Sequence, residues 1–472
     1  MADLLRAEQV ILLDNLMYMS GDRGPFTLVV NSKGMTVGAY VDQQLHALSQ
    51  REVPPDQART FGVLTAIRHD PVLCGMVIAD TRVESLEDGR GASAMFINPV
   101  TREAVICYRG TGREEWRDNF FGGTVTSSED GVSTAYQKAA LRTYRHYVSQ
   151  LRPEYTITVS GHSKGGNKAK YITILDDTVD RCISCDGQGF SDEFIAAYKP
   201  AIQARKHKIT NHNVDDDFVN LLLNDVGVML FYRNNRGKNN PIQNHCADAF
   251  FRFDGQGGYT VSRTRRPFEV KQMDAYLNSL IRSMPQAQRA GTLAMFGDFA
   301  TLVFGSGQKL RREDLITLFA SDVNKDHISY LVSFTIRYGQ EHMEFGLSLG
   351  SYLARNGLRS VNKTISGIQN VMGSEWLGWI MRHNGLIYRR IGVIWLFIPE
   401  RVKGKLLIYV KDQVGVELSQ KQVITLAKRL LMGMRNVNSI ESLPAGEDID
   451  AEALCEYRDA PGRKRRMIDM IN

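Results

Sequence analysis

Cysteine is scarce in this chain. Six in 472 residues (Cys74, Cys107, Cys182, Cys185, Cys246 and Cys455) are too few and too scattered for the disulfide framework of a small secreted scaffold. A reducing compartment fits that usage. The one close pair, Cys182-Ile-Ser-Cys185, sits in an apolar run with no second pair beside it. Residues three apart on a strand face opposite ways, so a metal or redox pair is not expected there. Long hydrophobic runs are missing as well. The nearest, Ile391 to Pro399, falls well short of the roughly 20 apolar residues that a membrane span needs. Met1 to Asp14 lacks the basic start, apolar core and small-residue cleavage site of a signal peptide, so a cytoplasmic protein is expected. Nor does either sign of charge dominate. The 58 basic and 52 acidic residues leave a net charge of +6, too little to imply nucleic-acid binding.

What is present is ordinary globular material, 43% hydrophobic and 23% charged. Its length exceeds what one core usually supports, so two domains are expected. Residues 1 to about 90 mix helical and extended patterns without a defensible motif. Ala92 to Tyr108 reads as two strands joined at Asn98-Pro99, and the second runs into Arg109-Gly-Thr111. An amphipathic helix is expected over 134–151, then a β-branched run from Tyr155. Further strands are expected at Cys182, Lys208 and Gly227, and the sheet-forming region closes near 265. Alternating β and α elements predict a parallel sheet covered on both faces. Beyond it the spacing turns helical over 269–283, 311–319, 328–353 and 421–434. The expected organisation is an α/β domain over 1–265, a mostly α-helical domain over 266–440 and a charged tail over 441–472. Asp322-Val-Asn-Lys-Asp326 starts like a calcium loop, but His327 stands where the turn needs Gly and Ser333 where the bidentate Glu belongs. It reads as a helix N-terminal cap.

The chain is organised around Gly161-His-Ser163-Lys-Gly165, which ends one strand pattern and opens a helical one. That context makes it a nucleophile elbow, with Ser163 on a strained turn and glycines where neighbouring backbone passes close. A serine hydroxyl needs a base and a group to hold that base, and on this fold they follow in the order acid, then histidine. His207, between two lysines, and His212, before an acidic loop, are weaker candidates than His245 in a polar loop after the last strand. Asp215-Asp216-Asp217 ends a strand in the right interval. Asp217 is the expected acid because Phe218-Val219 would anchor its loop, with Asp216 and Asp215 as alternatives; at least one of the three reads as a helix cap. The backbone N–H of Lys164 and that of Thr111 are the expected oxyanion donors.

Tyr-Arg-Gly-Thr111, Trp116, Asp118, Gly-His-Ser-Lys-Gly-Gly-Asn167, Asp217-Phe-Val and His245 together resemble the class 3 (fungal lipase-like) α/β-hydrolases, nearest to a bacterial branch whose elbow also reads GHSKGGN. The resemblance covers about residues 1 to 260. It implies an α/β-hydrolase fold and serine esterase chemistry on carboxylic esters, notably of lipids, through Ser163, an Asp and His245, with no cofactor and no metal. Trp116 would belong to the lid or access loop. The chain departs from the family at Lys164, where Leu is usual, and at Phe218, where Pro is usual. Other readings remain open: a thioesterase or peptidase with the same triad, or a hydrolase-fold binding or scaffold protein acting through its helical domain. A separate expectation concerns residues 376–405. Three tryptophans, many aliphatics and six cations there suit a peripheral membrane contact, though a domain core explains the same spacing.

Overall fold

The structure is a computed structural model that describes residues 4–19, 27–50, 57–84, 91–112, 116–121, 131–236 and 244–302, with single positions between 324 and 342. It divides into two compact units, Met1–Asp314 and Leu315–Asn472.

Four helices open the first unit: α1 (Ala7–Leu16), α2 (Val37–Ser49), α3 (Ala58–Arg68) and the short α4 (Pro71–Gly75). Thr36 Oγ1 caps α2 by accepting from Ala39 N at 3.1 Å, and Asp70 caps α4 with Pro71 at its first position. Strands β1 (Val77–Glu84), β2 (Gly91–Asn98) and β3 (Glu103–Tyr108) then form an antiparallel meander. Its second turn is set by Asn98, whose Oδ1 accepts from Val100 N at 3.0 Å and Thr101 N at 3.2 Å.

From β3 onward the chain alternates. Helices α5 (Trp116–Phe121) and α6 (Ala135–Val148) lead to β4 (Thr156–His162), and α7 (Lys164–Leu175) leads to β5 (Arg181–Cys185). Helices α8 (Asp192–Ala197) and α9 (Lys199–Arg205) lead to β6 (Ile209–Val214), which is followed by β7 (Val228–Tyr232). A separate pair, β8 (Arg252–Phe253) and β9 (Tyr259–Thr260), precedes β10 (Arg263–Thr264). The sheet runs β1-β2-β3-β4-β5-β6-β7-β10, parallel from β3 to β7 and antiparallel at both ends.

Strand order therefore advances one place at each crossover. With right-handed crossovers, every connecting helix falls on the same face of the sheet. There Ile106, Tyr108, Val159 and Cys182 pack against Tyr144 and Tyr147 of α6 and Tyr171 and Ile172 of α7. The opposite face carries Val105, Cys107, Ile183 and Cys185, and the N-terminal helices cover it, with Val10–Leu13 and Leu16 of α1 at the centre. Cys182 and Cys185 face opposite ways, as period-2 geometry requires. The result is a mostly parallel, helix-covered sheet of the α/β-hydrolase type.

Helices α10 (Phe268–Ser283) and α11 (Gln286–Ala300) follow the sheet. Arg282 pairs with Asp192 at 3.0 Å, Arg289 with Glu193 at 2.6 Å, and Phe296 stacks on Phe120 of α5 at 6.1 Å. These helices, expected to open a separate domain after residue 265, lie within the first unit. The second unit is helical at described positions from Asn324 to Tyr338, where the Phe334 ring stacks on Tyr330 and Tyr338, one turn to either side. The helices expected at 311–319 and 421–434, the segment 376–405 and the tail 441–472 lie outside the described residues. Among the described residues no helix is long and apolar enough to cross a membrane.

One charge-bearing group sits in the apolar layer under β4. Asp14 of α1 is buried, and its Oδ2 accepts from Ser160 Oγ at 2.6 Å and from Cys185 Sγ at 3.5 Å. Burial pushes this carboxyl up to about 7 against the opposing pull of Ser160, Cys107 and Cys185. A folded value above the unfolded one means that the native state holds the proton more tightly. The stability it contributes is complete below about pH 4 and is lost as pH rises to about 7, a difference on the order of 4 kcal/mol. Asp14→Asn, which cannot ionise, is expected to flatten that slope: its melting temperature should exceed the wild-type value at pH 8 by more than at pH 5. Parallel melting curves across that range would show that Asp14 does not titrate in the fold.

Candidate active site

Parallel strands bring their carboxyl ends to one edge of the sheet, and the loops leaving β3, β4, β5 and β6 meet there. Ser163 joins β4 to α7 at φ 61° and ψ −126°, the geometry of the first central residue of a type II′ turn. For a residue with a Cβ that conformation costs on the order of 1–3 kcal/mol, so the surroundings must hold it. They do so by close approach. A Cβ on Gly161 would lie 2.4 Å from Gly165 C, and one on Gly165 would lie 2.0 Å from Tyr108 O. The Ser163 N–H donates to Cys185 O at 2.8 Å. Asn167, one turn into α7, donates to Gln188 O and Gly189 O and accepts from Gln137 Nε2, which pins the helix to its neighbours.

Ser163 Oγ lies 2.8 Å from His245 Nε2, and His245 Nδ1 lies 2.5 Å from Asp217 Oδ2. The carboxylate can only accept there, so Nδ1 carries the proton and Nε2 presents its lone pair to the serine hydroxyl. Asp217 is fully buried. Its Oδ1 accepts from Val219 N at 2.8 Å and Asn220 N at 2.9 Å, capping the 3₁₀ turn Val219–Leu221. The two roles weighed for the aspartate run, cap and histidine partner, fall to the two oxygens of one side chain. Asp215 turns elsewhere, its Oδ1 accepting from Asn234 N at 3.0 Å. His207 is exposed on a 3₁₀ turn. His212 is buried in β6 beside the Tyr232 hydroxyl at 2.8 Å, and burial, aided by Arg263 and Arg181, pulls its pKa down to about 3.

Lys164 is the first residue of α7, so its backbone N–H has no partner one turn back in the helix and points from the helix N-terminus. Thr111 follows β3, and its Oγ1 accepts from Asn119 Nδ2 at 2.7 Å. The Lys164 side chain is 0% exposed, and its ammonium pairs with Asp118 Oδ2, which also accepts from Thr134 Oγ1 at 2.9 Å. Leaving one half of such a buried pair alone typically costs about 3–5 kcal/mol.

Two of the site's neighbours, Tyr18 and Asp186, carried no recognisable signal in sequence. Tyr18, just past α1, accepts from Gly110 N at 3.2 Å, and its hydroxyl lies 2.7 Å from His162 Nδ1. The His162 ring lies against His245, centroids 4.7 Å apart. Asp186, at the end of β5 with φ 46°, accepts from Val214 N at 2.7 Å and Asn220 Nδ2 at 3.0 Å. Burial, then the nearby Asp217, push its carboxyl well above the usual range. Asp186→Asn reproduces the neutral acid and tolerates the left-handed backbone. It is therefore expected to leave kcat near wild type, read in the same ester assay as Asp217→Asn. A loss comparable to that of Asp217→Asn would mean that Asp186 works ionised. Among the described residues no group of three or more His, Cys, Asp and Glu side chains is arranged to hold a metal ion.

Comparison with known proteins gives three results. Residues 82–297 match a family model described as Mbeg1-like. No curated protein matches the chain. Solved structures similar to it include a Rhizomucor miehei lipase in a propeptide complex, 15% identical with a TM-score of 0.28, covering 41% of this chain and 70% of that one. A Yarrowia lipolytica lipase is 14% identical with a TM-score of 0.31, covering 48% and 77%. A triacylglycerol lipase from Penicillium expansum is 13% identical with a TM-score of 0.26, covering 38% and 79%. The chain is thus similar to the Mbeg1-like family over its central part, and its structural neighbours are fungal lipases of very low sequence identity.

Proposed function

We propose that this protein is a serine hydrolase that cleaves carboxylic esters, including those of lipids, through an acyl-enzyme intermediate. The observation that carries the reading is the unbroken contact Ser163 Oγ to His245 Nε2 to Asp217, built on a strained elbow. His245 takes the hydroxyl proton as Ser163 attacks the acyl carbon, then gives it to the departing alcohol. Asp217 keeps the imidazole in the tautomer this needs and stabilises the imidazolium. The backbone N–H groups of Lys164 and Thr111 receive the negative charge on the carbonyl oxygen, and the N-terminus of α7 adds its dipole. Water repeats the sequence to release the acid. The resemblance to class 3 lipases and the Gly-His-Ser-Lys-Gly-Gly-Asn elbow support an ester substrate and the bacterial branch. A fluorophosphonate probe tests the assignment: it should label wild-type protein at Ser163 and leave Ser163→Ala unlabelled. A folded wild-type chain that takes no label at Ser163 would favour a binding role for the fold.

A further inference from the structure

We propose that α5 is a fixed wall of the catalytic site, held by the Lys164–Asp118 ion pair, and that the enzyme acts on molecularly dispersed esters without activation by a lipid–water interface. This rests on the hydrolase reading and specifies the physical state of its substrate.

The resemblance to lipases places a mobile lid at Trp116, the first residue of α5. In a lidded lipase the covering segment swings aside at an aggregated substrate, and the rate rises when the substrate passes its solubility limit. Here α5 is tied down at four consecutive residues. Arg117 pairs with Asp298 at 2.5 Å. Asp118 holds the Lys164 ammonium, whose side chain is fully buried, and also accepts from Thr134 Oγ1. Asn119 donates to Thr111 Oγ1 at 2.7 Å and accepts from Gln188 Nε2 at 3.1 Å. Phe120 stacks on Phe296.

The ion pair decides the matter. Lys164 belongs to the elbow helix and cannot follow α5 outward. Lifting α5 would strand a buried ammonium immediately after the nucleophile. Where lipases of the family usually carry Leu, this chain carries a lysine whose pairing with Asp118 opposes the departure of α5. With α5 docked Ser163 is 8% exposed and the His245 side chain 15%. An ester that reaches Oγ must therefore be small enough to do so with the helix in place. Asp118 and Lys164 are positioning residues here. They hold α5, and through Asn119 the Thr111 loop, in register with the elbow.

The test is the rate of tributyrin hydrolysis by the full chain as concentration crosses the solubility limit of the ester. The expected result for wild type is a single saturation curve through that limit, with the ratio of rates just above and just below near one. Asp118→Asn, which removes the counter-charge and keeps the shape, should lose kcat on dispersed ester more than it changes KM, and should show a rise of about tenfold or more across the limit. That ratio is insensitive to the fraction of variant that folds, so a merely structural role would leave it at one. If Asp118→Asn does not fold, the wild-type curve alone decides. A wild-type rise of about tenfold or more at the limit overturns the inference and leaves the hydrolase reading intact. Asp118→Asn with a ratio of one also overturns it. Absence of hydrolysis on both sides, together with no fluorophosphonate labelling, would remove the hydrolase reading and this inference with it.

Discussion

Ser163→Ala is expected to lower kcat for short-chain p-nitrophenyl esters by at least about 10³-fold, with little change in melting temperature. Both halves of that expectation follow from the elbow. The strain at φ 61° belongs to the backbone and is retained by alanine, and the side chain lost is one hydroxyl. What disappears is the hydroxyl oxygen that lies within reach of His245 Nε2. Because the triad acts as a unit, His245→Ala should be nearly as severe, and the double variant barely worse than either. His212→Ala should behave in the opposite way. That imidazole is buried beside Tyr232 in β6, so its loss should lower the melting temperature and spare kcat of the folded fraction. A Ser163→Ala variant that keeps more than about a hundredth of wild-type turnover would be incompatible with a nucleophile.

Asp217→Asn should cost about 10³- to 10⁴-fold in kcat while the fold is kept, a sharper separation than most acid substitutions allow. The reason lies in the division of labour between its oxygens. The amide oxygen of asparagine can still cap Val219 N and Asn220 N, so the 3₁₀ turn survives. The amide nitrogen then faces His245 and donates where the carboxylate accepted, forcing the proton from Nδ1 to Nε2. With a proton on Nε2 the imidazole can no longer act as base toward Ser163. Asp217→Ala removes the cap as well and should fall in melting temperature as well as in rate. Asp215→Asn should cost less than Asp217→Asn, since its carboxylate serves Asn234 N. If Asp216→Asn proved the severe variant, the acid would be misassigned.

Much of this arrangement was legible in the chain because the informative residues are punctuation. Gly161 and Gly165 mark a turn where backbone meets backbone, and Asn98-Pro99 marks a strand connection. The order Thr111, Ser163, Asp217, His245 follows the order in which parallel strands deliver their carboxyl ends to one edge. The N-terminal region was opaque for a physical reason. Helix α1 is buried continuously from Gln9 to Leu16, so the 3.6-residue alternation that betrays a surface helix is absent. Tyr18 stands 144 residues from the histidine it bonds, a distance over which local pattern carries nothing. Lys164, Lys168 and Lys170 of α7 are all buried. Asp118 and Asp225, from distant segments, supply the counter-charges for Lys164 and Lys170. Only tertiary structure could reveal those pairings.

The placement of α1–α3 opposite the crossover helices also governs how the chain is made. Helix α1 leaves the ribosome well before the strands it covers, since β4 and β5 end at residues 162 and 185. At ordinary translation speeds its apolar residues wait on the order of 10–30 s for their partners. During that interval Val10 to Leu13 and Leu16 have no sheet to bury them, while the α6–β4–α7 segment can assemble from neighbours in sequence. Helix α1 therefore closes over strands that are made well after it. In the nascent chain, α1 makes a demand on a chaperone until those strands emerge.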